Sequence, residues 1–410
     1  MGNCSKRLVK YSQSFTRKNL CNHIFIKFER QVLALPKYSI RGGVHPLENC
    51  HGGKTRTSSV AIRPHAPSVV ELSMSLFLGR PSTPLVKVGD HVKLGQKIGE
   101  SGGFVSLPVH ASVSGEVISV KPQMMLMDRP EMTVTIRNDM QDEWIDLTPL
   151  GQDVDSVEPS AIIPAIQEAG ICGLGGAAFP THVKLTIPEG KRCEAIIVNG
   201  AECETHVTAD HRLMLENAQD IVDGLRLAMR AVGVETGIIA IEDNKKDAIA
   251  TMKQAVAGIA GLSVVSLQAK YPQGSEKQLI YATTGREVPS KGLPIDVGVV
   301  VLNAGTAAAI ADAVLRGKPL IQRVTTVTGQ PVGPDRDPGF RTGGGLWGLY
   351  PGALPGGDGG LYDRPMYAQR RRTHRQTHQL RDRPDGKGGQ NPSGGPLHPV
   401  RQVHRGMSHG

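Results

Sequence analysis

Between Leu85 and Val120, apolar and polar residues alternate, and glycines interrupt the alternation at short intervals. Successive side chains of a β-strand point to opposite faces, so this pattern predicts short strands that each have one buried face. Two sets of strands are indicated, the first over residues 86–99 and the second over residues 109–120. We therefore expect an all-β module in this part of the chain.

A second pattern begins near Asp155 and extends to Gly329. Short apolar runs alternate there with longer amphipathic stretches. The four strand-like runs are Ala195–Asn199, Gly237–Glu242, Leu262–Gln268 and Val297–Asn303. Strands that alternate with helices form layered α/β domains with a largely parallel sheet, and we expect that fold class here.

The helices between these strands carry their own signals. Apolar residues from Leu213 to Met229 recur at helical spacing and predict one helix. We expect Asn244 to cap a helix that runs to Ala257, because its side chain can satisfy one of the first backbone N–H groups. Two further helices are predicted over residues 160–170 and 306–316, the second ending at Gly317.

Both ends of the chain lack such patterns. Residues 1–37 are polar and basic, and we interpret them as a disordered arm or the product of a mis-chosen translation start. Residues 323–330 read as the start of a further domain that is cut short. Residues 331–410 are rich in glycine, proline, arginine and histidine, which predicts disorder and suggests a shifted reading frame.

The positive charge of the chain lies at its two ends. The formal net charge is +9, but basic residues exceed acidic ones by seven in residues 1–40 and by six in residues 331–410. The middle of the chain, residues 41–330, therefore carries −4. A protein that binds nucleic acid normally presents its basic residues on the folded domain, so we expect no nucleic-acid partner.

The six cysteines indicate neither a metal site nor a disulfide framework. No two of them have the Cys-x-x-Cys spacing that is typical of zinc and iron–sulfur sites. Disulfide frameworks belong to short secreted chains, and this chain has 410 residues. Its apolar runs stay far below the length that crosses a bilayer, so we also expect no direct membrane insertion.

The residues from Gly173 to Lys184 carry the strongest candidate chemistry. Gly173, Gly175 and Gly176 let the backbone approach a ligand closely, since no Cβ stands in the way. Backbone N–H groups of such a loop can converge on an anion, and Lys184 adds a positive charge. The alternative is a flexible loop. The strand Ala195–Asn199 favours a phosphate-bearing ligand, because open α/β sheets bind ligands at strand ends.

Several short motifs follow one another in a characteristic order. They are Gly-Gly-Val-His-Pro (42–46), Gly-Leu-Gly-Gly-Ala-Ala-Phe-Pro-Thr (173–181), Asn-Gly-Ala-Glu-Cys-Glu (199–204), Thr-Ala-Asp-His-Arg (208–212), Glu-Asp-Asn-Lys (242–245) and Tyr-Pro-Gln-Gly-Ser-Glu-Lys-Gln (271–278). Together with the strands of residues 85–120, they resemble the RnfC family, the peripheral subunits of Rnf-type ion-translocating electron-transport complexes. The central region is similar to the NADH-binding flavoprotein subunit of respiratory complex I.

The strands of residues 85–120 also resemble the biotinyl/lipoyl barrel sandwich. Carrier domains of that type present a lysine on the turn between the two halves. The corresponding turn here, Glu100–Ser106, contains no lysine. We therefore expect this module to serve in docking.

The resemblance implies a division of the chain, its cofactors and its site. The segments are a basic arm (1–37), a barrel-sandwich module (38–150), an FMN- and NADH-binding α/β domain (151–322), a truncated domain (323–330) and the tail (331–410). The cofactors are FMN and NAD(H), and no catalytic side chain or metal ligand is assigned. The implied cofactor-binding residues are Gly173, Gly175, Gly176, Ala177, Phe179, Lys184, Asn199, Glu202, Glu204, Tyr271, Gly274, Glu276 and Lys277. Among them, Lys184 is expected near a phosphate, and the two carboxylates beside the flavin ring and the nicotinamide.

The sequence departs from the family pattern at three places. Ala178 stands where glycine is usual, which would hinder a close backbone approach, and Thr205 stands where proline is usual. The family also places two Cys-x-x-Cys-x-x-Cys-x-x-x-Cys-Pro sets after the flavin domain to hold two [4Fe–4S] clusters. No cysteine follows Cys203 in this chain. We therefore expect it to bind no such cluster by itself.

Two functions remain open at this point. The first is electron transfer between NAD(H), FMN and iron–sulfur carriers, by a peripheral subunit that binds other Rnf subunits on the cytoplasmic side of the inner membrane. In that case, the chain is an incomplete part of a ferredoxin:NAD oxidoreductase. The second is a non-catalytic docking subunit or an inactive fragment. A carbohydrate- or nucleotide-binding domain without a redox role is a third, weaker alternative.

Overall fold

The structure is a computed structural model of the 410-residue chain. It describes residues 38–45, 53–55, 57–125, 130–327 and 345–349, the last group by its backbone alone. The sequence-based interpretations of residues 1–37, and of residues 331–410 apart from 345–349, lie outside these ranges. Among the helices described, none is long and apolar enough to span a bilayer.

The N-terminal part of the described chain is built from short strands, as the alternating pattern predicts. They are β1 (Ile62–His65), β2 (Val69–Ser73), β3 (Thr83–Pro84), β4 (His91–Val92), β5 (Lys97–Glu100), β6 (Val109–His110), β7 (Gly115–Met124) and β8 (Pro130–Asn138). Two antiparallel sheets, in the orders β2-β8-β7-β4 and β3-β5-β6, enclose one apolar core. Alternate residues such as Val92, Val117 and Val134 are completely buried in this core.

The central part alternates strands and helices. Its elements are α1 (Pro159–Glu168), α2 (Thr181–Leu185), β9 (Ala195–Gly200), α3 (Ala209–Glu216), α4 (Ala218–Val232), β10 (Gly237–Glu242), α5 (Lys246–Ala255), β11 (Leu262–Leu267), α6 (Glu276–Thr284), a 3₁₀ turn (Pro294–Val297), β12 (Val299–Asn303) and α7 (Ala304–Arg316). The sheet has the order β11-β10-β9-β12, and all its neighbouring strands are parallel. The predicted α/β fold with an N-terminal barrel sandwich is thus confirmed.

Two local predictions about helices are wrong. The single helix expected from Leu213 to Met229 is two helices that meet at Asn217, a non-helical residue with φ −131° and ψ 39°. The apolar stripe continues across the break, so periodicity alone did not reveal it. Asn244 does not cap α5, since its amide donates to Glu242 Oε2 and its oxygen accepts from Lys245 Nζ. These bonds tie the Asn244 side chain to a buried ion pair instead.

Helices α4 and α7 pack against each other at Gly224. A Cβ atom at this position would lie 1.7 Å from the backbone oxygen of Ala307. Backbone atoms cannot rotate away as side chains do, so only glycine permits this close crossing. The contact brings α7, and with it the carboxyl end of β12, into its place on the sheet.

A third, three-stranded sheet follows the central domain. It has the order β1-β14-β13 and contains β13 (Arg323–Val327) and β14 (Gly345–Leu349). β14 pairs parallel to β1 and antiparallel to β13. The sequence predicted no regular structure after residue 330, because the apolar residues Leu346, Trp347 and Leu349 stand isolated among glycines. The strand-like pattern beginning at Arg323 is confirmed as a strand.

Candidate functional site

The strand order of the central sheet creates a crevice at the carboxyl ends of β9 and β12. The chain leaves β9 towards β10 on one side, and it returns to the other side of β9 with β12. The connecting segments therefore diverge, which makes this position the switch point where open α/β sheets bind ligands. Asn199 and Asn303 face each other across it as register partners near the two strand ends.

The glycine-rich residues form an exposed turn over the start of α7. Gly173 N–H donates to Phe179 O at 2.9 Å, and Leu174 N–H donates to the Thr306 hydroxyl at 2.9 Å. Across the part of the chain that the structure describes, the N–H groups of Gly175, Gly176 and Ala177 donate to no protein acceptor. We call residues 174–177 the glycine turn.

Two glycines of this turn differ in their surroundings. A Cβ atom on Gly175 would lie 2.9 Å from Asn303 Nδ2, whereas a Cβ atom on Gly176 would meet nothing within 4 Å. Gly175 therefore allows the turn to rest against the end of β12. Gly176 instead borders open space at the edge of the crevice.

The turn after β9 buries one of its two predicted carboxylates. Glu202 is only 5% exposed and has a positive φ of 45°. Its Oε1 accepts the N–H of Asp210 at 2.7 Å, while its Oε2 has no hydrogen-bond partner among the described residues and lies 3.6 Å from Lys54 Nζ. Glu204 is half-buried. Of the two carboxylates, Glu204 is therefore the more accessible to a ligand.

Buried charges support this turn from below. Lys54 donates to the carbonyl oxygens of Glu202 and Val207, and Lys245 Nζ donates to Ala201 O at 2.6 Å. Lys245 also pairs with Glu242 at 3.3 Å. Burial lowers the pKa of Lys54 and raises the pKa of Glu242, because both charged forms lose solvation. The network fixes the backbone of residues 201–207 through groups from three separate segments.

Residues 269–277 form the third wall. Asn199 Nδ2 donates to Gly274 O at 2.8 Å, and Gly274 N–H donates to Cys203 Sγ at 3.3 Å. Tyr271 exchanges two backbone hydrogen bonds with Val44, so the segment of residues 38–45 lies along this wall. The structure therefore joins Asn199, Cys203 and Gly274 into one connected surface.

The two predicted lysines are engaged with the protein itself. Lys184 Nζ donates to Glu276 Oε1 at 2.9 Å and to Val301 O at 3.1 Å. Lys277 Nζ donates to Pro289 O at 3.0 Å. Phe179 contributes its carbonyl oxygen to the base of the glycine turn. A phosphate role for Lys184 stays a prediction, and it requires this lysine to exchange or share Glu276.

Four residues of the crevice were missed by the sequence-based assignment. Asn303 Oδ1 caps α7 by accepting from Gly305 and Thr306, and its Nδ2 donates to Asp210 Oδ2 at 2.7 Å. Thr306 holds the glycine turn, and Lys54 lies under Glu202. The pattern of a strand followed by Asn and, three residues later, Thr is a detectable signal for Asn303 and Thr306. Lys54 and Asp210 carry no comparable signal.

Asp210 provides a pH-dependent test of this geometry. Burial, and next the charge of Glu202, raise the pKa of Asp210 to about 7 from its ordinary value of 3.8. A raised pKa favours the protonated form in the native state, so stability is lost as the pH rises from about 4 to about 7. We expect Asp210→Asn to gain about 1–3 kcal/mol relative to the parent protein between pH 4.5 and pH 8.

Urea unfolding of both proteins at several pH values measures this difference. Other titrating groups cancel, since they are common to the two proteins. Glu202, Glu204, Lys54 and Arg323 all act on the site, so the comparison is best made at constant ionic strength. A difference in the free energy of unfolding that does not vary with pH would show that Asp210 titrates at its ordinary pKa.

The barrel sandwich contacts the glycine turn at its far end. Ala178 is buried in the apolar core of the sandwich, and its carbonyl oxygen accepts the N–H of Leu78 at 3.0 Å. His182 contacts Phe104 O at 2.9 Å and packs edge-on against the Phe104 ring. Ala178 has a positive φ of 52°, a conformation that favours glycine. Its methyl group nevertheless fills a place in the sandwich core.

A small pocket lies beneath this junction. It has a volume of about 50 Å³ and is bounded by residues of the sandwich and by Cys172, Leu174 and Arg323. That volume accommodates a few water molecules and excludes a flavin ring. The open crevice above the strand ends is therefore the candidate site. No group of three or more potential metal ligands occurs among the described residues.

Comparisons with known proteins agree with the two-part fold. A family model described as the RnfC barrel sandwich hybrid domain matches residues 38–141, and one described as the Nuo51 FMN-binding domain matches residues 166–312. The chain is 49% identical over 297 residues to the RnfC-type subunit of a Na⁺-translocating ferredoxin:NAD⁺ oxidoreductase complex from Acetobacterium woodii. It is 45% identical over 291 residues to the equivalent subunit of the proton-translocating complex from Clostridium ljungdahlii.

These matches cover 72% and 71% of this chain, but 66% and 63% of the two relatives. The chain thus spans slightly less than two thirds of their length. A crystal structure of an NAD⁺-reducing [NiFe]-hydrogenase in the H₂-reduced state is similar with a TM-score of 0.41 and 23% identity. That similarity covers 52% of this chain and 41% of the hydrogenase chain.

Proposed function

Because the chain belongs to the RnfC family, whose members are subunits of ion-translocating ferredoxin:NAD⁺ oxidoreductase complexes, we propose that its central domain binds FMN and NAD(H) in the crevice at the switch point. There it transfers electrons between the two. The observation that carries this proposal is the glycine turn above the N-terminus of α7, with three backbone N–H groups that meet no acceptor within the described chain.

The residues present fit an anionic, planar cofactor. Free N–H groups and a helix N-terminus both favour a phosphate, because each presents partial positive charge. The open space beside Gly176 admits a ligand without displacing protein atoms. The Asn199 side chain, held by Gly274 O and Ala201 N–H, fixes the adjacent wall. These features support a cofactor at the strand ends.

FMN, when bound, supplies the hydride chemistry, and the protein supplies binding, orientation and electrostatics. In this proposal, the glycine turn and α7 hold phosphate. Glu204 accepts hydrogen bonds from ribose hydroxyls or the carboxamide of the nucleotide. Glu202 holds the turn in shape through Asp210 and Lys54. The buried ion pairs keep that wall rigid while the nucleotide enters and leaves.

The proposal includes partners. Electrons leave the flavin for iron–sulfur carriers on other subunits of the complex, on the cytoplasmic side of the inner membrane, where this chain is peripheral. The sandwich is a natural docking module for those subunits, since it contacts the cofactor turn through Ala178 and Phe104. Docking at the sandwich thus places a partner close to the proposed flavin.

Titration of the purified protein with FMN, followed by anaerobic mixing with NADH, tests this function. We expect saturable FMN binding and bleaching of the flavin absorbance by NADH. Glu202→Gln together with Glu204→Gln should raise the NADH concentration for half-maximal reduction about tenfold, because two hydrogen-bond acceptors weaken. Glu204→Gln alone should cause most of this change, since Glu202 faces Asp210 and Lys54.

Glu235→Gln is the matched control. This exposed carboxylate precedes β10, at the opposite edge of the sheet. NADH should reduce its flavin as it does that of the parent protein. Equal reduction by the double variant would remove the carboxylates from the nucleotide site. Failure of the parent protein to bind FMN would instead favour the docking role.

A further inference from the structure

Arg323 reaches the glycine turn from outside the segment that matches the FMN-binding domain. It is the first residue of β13, eleven positions beyond the last matched residue, 312. Its Nη2 atom donates a hydrogen bond to the carbonyl oxygen of Leu174, the first residue of the glycine turn. The two residues are 149 positions apart in the sequence.

This bond determines the direction of a neighbouring donor. The carbonyl group of Leu174 and the N–H group of Gly175 belong to the same peptide plane. In a trans peptide, these two groups point in opposite directions. A carbonyl oxygen held on Arg323 therefore leaves the Gly175 N–H directed away from Arg323.

Without Arg323, this peptide plane is poorly restrained. Glycine follows Leu174, and glycine adopts backbone conformations that other residues avoid, so the plane can rotate at small cost. Rotation would replace the Gly175 N–H by the Leu174 carbonyl oxygen at the surface of the turn. A carbonyl oxygen repels a phosphate, whereas an N–H group binds it.

Two further contacts brace this arrangement. Thr306 accepts the N–H of Leu174, so side chains from two elements hold both polar backbone groups of this residue. The strand that carries Arg323 is itself fixed, since the Thr326 hydroxyl accepts the N–H of Thr208 at 3.0 Å. Thr208 immediately precedes α3, which carries Asp210. Arg323 is thus tied to both flanks of the crevice.

We propose that Arg323 is a positioning residue that holds the Leu174–Gly175 peptide with its N–H group available to the phosphate of the cofactor. The inference rests on the proposed function, because it concerns the same site. It assigns to β13, a strand beyond the matched cofactor domain, a direct part in shaping the phosphate site.

Binding of FMN and of riboflavin, which lacks the phosphate, tests this role. In Arg323→Met, we expect FMN affinity to fall about tenfold and riboflavin affinity to change less than about twofold. Arg323→Gln retains a donor and should recover part of the FMN affinity. The matched control, Arg226→Met, removes an arginine that pairs with Asp155 on the far side of α4 and should change neither affinity.

Hydrogen exchange of the cofactor-free protein supplies a second readout. The N–H group of Leu174 should exchange faster in Arg323→Met, because the peptide that it adjoins is less restrained. Equal losses of FMN and riboflavin affinity, or unchanged FMN affinity, would overturn the positioning role. If the parent protein binds neither flavin, the proposed function fails first and this inference fails with it.

Discussion

Gly176→Val should lower the affinity for FMN about tenfold to a hundredfold while the melting temperature of the cofactor-free protein stays unchanged. A Cβ atom at Gly176 meets no protein atom within 4 Å, so the substitution leaves the protein's own packing intact. The added side chain enters the space that the proposed cofactor needs. Fluorescence titration with FMN and thermal unfolding of the apoprotein measure the two quantities.

Two related variants make this result interpretable. Gly176→Ala is smaller and should show an intermediate loss of FMN affinity. Gly175→Val should lower both FMN affinity and apoprotein stability, because its Cβ atom would lie within 2.9–3.1 Å of the Asn303 side chain. Unchanged FMN affinity in Gly176→Val would mean that the cofactor does not border the glycine turn.

Gly224→Ala should destabilise the protein by about 3 kcal/mol or more. The new methyl group would lie 1.7 Å from Ala307 O, so α4 and α7 must separate along their contact. Alanine has a higher helix propensity than glycine by about 1 kcal/mol, which offsets only part of this cost. Urea unfolding of the cofactor-free protein measures the change in the free energy of unfolding.

Gln219→Ala on the same helix provides the comparison. Gln219 is exposed, and its amide bonds to Asp223, one turn along the helix. Its replacement should change the free energy of unfolding by less than about 0.5 kcal/mol. A similarly small effect at Gly224 would show that the two helices do not cross as closely as the structure indicates.

The parallel sheet was predictable because its strands are local patterns. Buried parallel strands are apolar on both faces, and each of the four runs is bounded by turn or helix signals. The break at Asn217 was not predictable in this way. The apolar faces of α3 and α4 lie in register, so the sequence shows one stripe where the backbone makes two helices.

The candidate site divides along the same line. The glycine turn and Asn199 are short motifs, so the sequence alone identified them. Lys54 meets Glu202 across 148 positions, and Arg323 meets Leu174 across 149 positions. No local pattern encodes such pairs, because tertiary packing brings them together. Their positions became apparent only from the fold.

Ala178 links two parts of the chain that would otherwise count as separate modules. It follows the glycine turn directly, yet its side chain is buried in the core of the barrel sandwich. Pulling the sandwich away would expose that core and drag on the turn beneath the proposed cofactor. The two modules therefore share one cooperative unit, and exchanging either for a homologous counterpart requires the new partner to supply the socket for this methyl group.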